Sequence, residues 1–192
     1  MITKRQLLEL IQARLNGGET PRDRRRVFPI AEISRIVNFG LSDCVTKGGR
    51  GSDATVSELQ LGYAFTPSQD SVGWYITLTP KPISGGISIY GVEDEKTSYT
   101  CCDKSMYRSI ESMGQDTSSL AVYSVGKIRF NEKPTGNVMV SLIPNVYEMQ
   151  DDDVIIYAAD SEGGAMAFFN MCLQVISGEI AIDEKNNNNA QQ

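Results

Sequence analysis

At Lys47-Gly48-Gly49-Arg50-Gly51-Ser52-Asp53 the apolar residues of this 192-residue chain change their spacing, and the change decides what either side can fold into. Before it they recur every three or four positions: Leu7, Leu8, Ile11 and Leu15, then Ile30, Ile33, Ile36, Val37, Leu41 and Cys44. After it they alternate, as Leu59, Leu61, Tyr63 and Phe65, then as Trp74, Ile76 and Leu78. The first spacing lays side chains along one stripe of a helix, and the second lays them on one face of a strand. The glycine run between them belongs to neither and marks a linker. The expected fold class is α+β. An N-terminal helical hairpin occupies residues 1–47, a Gly-rich linker 48–53, and an antiparallel β-sandwich or open barrel 54–159. A C-terminal helix over 160–178 and a flexible, Asn-rich polar tail over 179–192 complete the expected order.

Local signals set the boundaries. Thr3-Lys4-Arg5-Gln6 fits a capping box, and Asn16-Gly17-Gly18 supplies a left-handed stop, so the first helix should run from Lys4 to Leu15. Pro29 suits the first turn of the second helix. That helix has an apolar side too wide for one partner helix, which leaves surface for the body or for a neighbouring subunit. In the body, Ile87 and Ile89 suggest a short third strand. Val92–Ser119 is polar and reads as a long excursion with a helical turn around Met106–Ser112. Gly126-Lys127 fits a type II′ hairpin turn between Leu120–Val125 and Ile128–Phe130. Pro134-Thr135-Gly136-Asn137 turns the chain into Val138–Ile143, and Asp151-Asp152-Asp153 precedes Val154–Tyr157. That makes about seven short strands, the number of a small sandwich. Met166, Phe169, Cys172, Leu173 and Ile176 give the last helix its apolar side.

The charge splits where the period does. Residues 1–47 carry nine Lys/Arg against five Asp/Glu, and residues 48–192 carry nine against nineteen. A basic helical head on an acidic β body is a bipolar subunit, suited to contact with two unlike neighbours. The net charge of −6 argues against a dedicated nucleic-acid binder. Arg22, Arg24, Arg25 and Arg26, interrupted by Asp23, instead suit a forked grip on carboxylates of a partner protein. No apolar run approaches the roughly 20 residues that span a bilayer, and the start lacks a secretory core. A soluble protein made in the cytoplasm is expected.

Catalytic chemistry finds little to use. Histidine is absent, which removes the commonest general base and metal ligand together. Cys44, Cys101, Cys102 and Cys172 contain no CxxC pair, and Cys44 and Cys172 fall on apolar helix faces as buried thiols. Asp151-Asp152-Asp153 and Glu93-Asp94-Glu95 lack the spacing of a calcium loop and read as solvated turns. The glycine pairs form neither a P-loop nor a dinucleotide fingerprint. No cofactor, metal or catalytic residue is expected. Trp74, Tyr75 and Tyr90 leave a carbohydrate- or receptor-binding β-sandwich as the alternative function.

Thr3-Lys4-Arg5-Gln6-Leu7-Leu8, together with Ala13-Arg14-Leu15-Asn16-Gly17-Gly18, resembles the start of small virion structural proteins of crAss-like and related short-tailed bacteriophages. Tyr123–Phe130 is similar to their Tyr-x-x-Gly-x-x-Ile hairpin, and Val138–Pro144 to their strand ending in Leu-Ile-Pro. The Asp run with the Asn-rich tail resembles their C-terminal block, although Gly163-Gly164 stands where an acidic helix start is usual. The resemblance covers both ends and the second half of the β region, and leaves out Leu59–Ser119. It implies a non-enzymatic head–tail connector or tail subunit in the virion neck. Such a subunit forms a closed homo-oligomeric ring, a dodecamer, stacked on portal or adjacent tail rings around the DNA channel.

Overall fold

The computed structural model describes residues 2–15, 29–47 and 60–156. The arginine cluster at 22–26, the Gly-rich linker, Leu59, Tyr157, the expected helix over 160–178 and the tail lie outside the described residues, as does the side chain of Cys44.

Helix α1 spans Lys4–Leu15 and α2 spans Ile30–Lys47. The capping box forms as expected: Gln6 N–H donates to Thr3 Oγ1 at 3.3 Å, and Thr3 N–H donates to Gln6 Oε1 at 3.1 Å. Pro29 stands just before α2, its carbonyl accepting from the N–H groups of Glu32 and Ile33. Ahead of α1, strand β1 (Ile2–Thr3) pairs antiparallel with the last described strand, Val154–Ile156. That final strand therefore lies outside the body sheet, contrary to expectation. The Asp run before it has a structural task beyond solvation. The carbonyls of Asp153 and Asp151 accept from Lys4 N–H at 2.9 Å and Arg5 N–H at 3.0 Å. They thereby satisfy first-turn donors that a helix leaves unpaired, and the acidic side chains sit at the positive end of the helix dipole. Lys4 Nζ, itself buried, donates to the Met149 carbonyl at 2.8 Å. Thr3→Ala removes half of the capping box and should cost about 1 kcal/mol. Chemical denaturation of the two proteins side by side checks this.

The body is one curled, eight-stranded sheet, a half-barrel rather than a two-sheet sandwich. In chain order its strands are β2 (Leu61–Phe65), β3 (Ser68–Asp70), β4 (Gly73–Thr77), β5 (Ile89–Glu93), β6 (Ser98–Cys102), β7 (Leu120–Ser124), β8 (Lys127–Phe130) and β9 (Val138–Leu142). Their order across the sheet is β2-β9-β5-β6-β7-β8-β4-β3, so β10 is the name left for Val154–Ile156. The pairing is antiparallel except between β6 and β7, which run parallel. Helix α3 (Lys104–Ser112) makes that crossover and packs against β7. A parallel neighbour requires such a connection because a tight turn can only reverse the chain. The expected polar excursion over Val92–Ser119 thus holds the end of β5, all of β6 and α3. Ile87 falls in a 3-10 turn, Gly85–Ser88, with its side chain exposed, and the strand begins only at Ile89.

The β7–β8 hairpin turns one residue earlier than expected. Ser124 pairs with Lys127, so Val125 and Gly126 are the loop. Both have positive φ, 44° and 76°, which is the signature of type I′ rather than II′. The turn is held by Gly126: its N–H donates to Tyr123 Oη at 3.3 Å and its carbonyl accepts from Leu78 N–H at 2.8 Å.

Two cores result. Inside the curl, Ile76, Leu78, Ile89, Val92, Ala121, Ile128, Phe130, Val138, Val140 and Leu142 are buried, with Trp74, Tyr99 and Cys101 packed on them. At the end of the sheet where β2 starts and β9 stops, α1 and α2 pack Leu7, Leu8, Ile11, Ile33, Ile36, Val37, Leu41 and Val45 onto Leu61, Ile143, Val146 and Met149. Tyr63 touches both clusters. Hydrogen bonds tie the helix end down: Val146 N–H donates to Asn38 Oδ1 at 2.9 Å, and the Ser42 and Ser84 hydroxyls lie 3.0 Å apart.

Candidate interaction surfaces

The strand registers give the sheet two unlike ends. Leu61, Leu142, Ile89, Cys102, Ser124 and Lys127 share the end that meets the helices. Phe65, Val138, Glu93, Ser98 and Phe130 share the remote end. The remote end is organised by Asp94. Its carboxylate accepts from the N–H groups of Thr97 and Thr135, both at 2.7 Å, from Lys96 N–H at 2.8 Å and from Tyr99 Oη–H at 2.8 Å. Partial burial pushes this carboxyl up, but the bonds from Thr135, Lys96, Tyr99 and Thr97 together outweigh it and hold the pKa at about 2. Burial and the Asp94 charge push Tyr99 the other way, to about 12. Asp94 is thus neither a metal ligand nor a solvated turn residue, since its lone pairs are spent on the two loops it joins. Gly136, with φ of 72°, lies in the second loop, where a Cβ would run into the Glu95 carboxylate.

On the outer face, β3, β4 and β8 carry a second carboxylate. Arg129 grips Asp70 with two nitrogens, at 3.0 and 2.8 Å, while Asp70 also accepts from Val72 N–H at 2.9 Å. The Arg129 bonds, then the Val72 bond, hold Asp70 well below the usual carboxylate range. Tyr75 lies between two cations, with Lys127 Nζ at 4.5 Å and Arg129 at 5.5 Å from its ring centre.

The three aromatics considered for a sugar platform do not share a face. Trp74 and Tyr75 are successive residues of β4 and so point to opposite sides of the sheet. Trp74 packs with the inner core and carries Lys133 Nζ 5.1 Å from its ring. Tyr90 sits in an irregularity of the β5–β9 register and packs towards the helix core.

A cleft of about 390 Å³ opens between β5 and β6, lined by Ile89, Tyr90, Gly91, Val92, Tyr99, Thr100 and Cys101. Its origin is topological. The two strands pair only at Val92–Tyr99 and Glu93–Ser98, after which β6 leaves β5 for β7. The wall parts towards the helix end. Burial pushes up the Tyr90 phenol at the cleft and the Cys102 thiol, which faces the other side of β6.

Large apolar side chains stand in water at both ends. Phe39 is 61% and Leu10 52% exposed on the helices, Val72 is 75% exposed in the β3–β4 turn, and Val125 is 89% exposed at the β7–β8 tip. Val125 is unusual for a second reason. Its φ of 44° costs an L-residue with a branched Cβ about 1–2 kcal/mol. Sequence reasoning missed both this residue and Asp94. Nothing in a turn motif marks a valine as left-handed, and the four donors of Asp94 come partly from a turn 41 residues away.

Among the described residues no group of three or more His, Cys, Asp or Glu side chains is placed to hold a metal ion. No described helix is long and apolar enough to cross a membrane. No protein-family model matches the chain, and no curated protein matches it.

Proposed function

We propose that this chain is a ring-forming structural subunit, a head–tail connector or tail component of a short-tailed phage virion that stacks on portal or adjacent tail rings. The observation that carries the reading is the pairing of two unlike ends on one body, whose helices and sheet share a packed core. The helical end exposes Phe39 and Leu10 and belongs to a head with nine Lys/Arg against five Asp/Glu. The remote end carries Glu93, Glu95 and Glu132 instead, while the acidic run Asp151–Asp153 belongs to the helical end, against the first turn of α1. Head-to-tail contact closes a ring only when each copy presents two different, complementary surfaces. Exposed apolar side chains framed by charge are the kind of surface such contacts bury. The Arg22–Arg26 cluster supplies forked donors for a partner's carboxylates in the same scheme.

Size-exclusion chromatography with light scattering, followed by negative-stain imaging with portal and tail partners, tests this directly. A closed homomeric ring, alone or assembled on its partner, is the expected result. A chain that stays monomeric and never enters virions would remove the proposal.

A further inference from the structure

Helix α1 has a second side. Leu7, Leu8 and Ile11 turn inward to the helix core, while Gln6, Glu9, Leu10 and Ala13 recur along the other side of the same helix and line a hollow of about 470 Å³. The surface bared there is mostly apolar, and Leu10 stands half exposed at its centre.

The course of the chain indicates what covers it. Ile156, the last described residue, pairs antiparallel with Ile2, two positions before α1 begins. Residues 157–192 therefore set out from beside the first turn of α1. Within them, 163–178 carry no charged side chain, and ten of the sixteen are apolar. Met166, Phe169, Leu173 and Ile176 fall on one helical stripe, a pattern that is stable only against another apolar surface. The stretches 16–28 and 48–59, also outside the described residues, are broken by charges and hold no such stripe.

The dimensions agree. As a helix, residues 165–177 would measure about 20 Å, against about 18 Å for the twelve residues of α1. The chain from Ile156 to Ala165 reaches up to about 30 Å when extended. It leaves β10 heading away from α1, and Asp160-Ser161-Glu162-Gly163-Gly164 supplies turn residues for the reversal.

We infer that residues 165–177 fold back as a helix along the outer side of α1 in their own copy, seating the Phe169 stripe on Leu10 and Ala13. The inference stands apart from the ring reading. Phe168, Met171 and Val175 form a second apolar stripe which, with the exposed Phe39, remains for contact between copies.

Hydrogen exchange of the full-length protein, read peptide by peptide by mass spectrometry, tests it. The amides of 165–177 should exchange slowly, and equally so in dilute and concentrated protein. Leu10→Glu places a charge in the seat. Those amides should then exchange roughly tenfold faster, as expected for the loss of one leucine contact. The amides of β5 and β9 should keep their protection, which shows that the body of the variant is folded. Phe169→Ser should release the segment in the same way from the opposite side of the contact. Fast exchange of 165–177 in the native protein overturns the inference, and so does protection that Leu10→Glu leaves unchanged. Protection that appears only at high concentration would seat the segment on a second copy, which overturns it equally. The ring reading is decided separately, by light scattering.

Discussion

Replacing Asp94 by alanine should cost on the order of 3 kcal/mol, more than any other polar change to the described body. The carboxylate takes four donors, at 2.7, 2.7, 2.8 and 2.8 Å. Removing it leaves Thr97 N–H, Thr135 N–H and the Tyr99 hydroxyl half-buried without their acceptor. Hydrogen bonds to a charged group are each worth about 1.5–3 kcal/mol, and those of one network do not add in full. For a chain of this length, that loss lowers the melting temperature by roughly 10 °C. The acid limb of the stability curve should change as well. The folded pKa of Asp94, about 2, lies below its ordinary value of 3.8. Its contribution is therefore fully present above about pH 5 and drains away as the pH falls through 4 towards 2. Asp70 and Glu148, also held low, lose stability in the same direction, so the informative quantity is the difference between native and variant. That difference should be near 3 kcal/mol at pH 7 and shrink markedly by pH 2.5. A constant difference across that window would mean that the carboxylate charge is not what joins the two loops.

Ile11→Ala should cost about 3 kcal/mol and, more tellingly, should destabilise the whole described structure at once. Ile11 is completely buried in the cluster that α1 and α2 share with Leu61, Ile143, Val146 and Met149. Truncation of such a side chain loses 2–5 kcal/mol through transfer and cavity terms. Leu61 and Ile143 lie in or next to β2 and β9, whose neighbours line the second core, so the helix pair and the half-barrel are mechanically continuous. Trp74, the chain's sole tryptophan, reports on the body at the end of the sheet remote from the helices. Its fluorescence and the helical circular dichroism should therefore shift together, in one transition. If the helical signal melts early while Trp74 holds its native midpoint, the helical head is a separate folding unit.

How far these features can be read in the chain itself depends on the range of the interactions. The bounds of α1, the capping box at Thr3 and Gln6, and the inward set Trp74, Ile76, Ile128, Val138 and Val140 follow from neighbours within a few positions. The curled body was expected as one of two arrangements, sandwich or open barrel, because period-two alternation states which face is buried but not what covers it. Strand β6 was hidden for a related reason. Ser98-Tyr99-Thr100-Cys101-Cys102 shows no clean alternation when its outer side, at Cys102, is buried as well. The Arg22, Arg24, Arg25 and Arg26 cluster is legible only as chemistry, since its placement lies outside the described residues.

By itself the amino-acid order determined where helix gives way to strand, which side chains turn inward, and the bipolar charge of the chain. Those are consequences of local geometry and of composition. Tertiary structure alone decided the parallel join of β6 to β7, the capping of α1 by the Asp run, the four bonds of Asp94 and the left-handed Val125. Each of these depends on groups distant in the chain or on a backbone state that pairing imposes against local preference. A one-dimensional pattern of spacing carries no record of either.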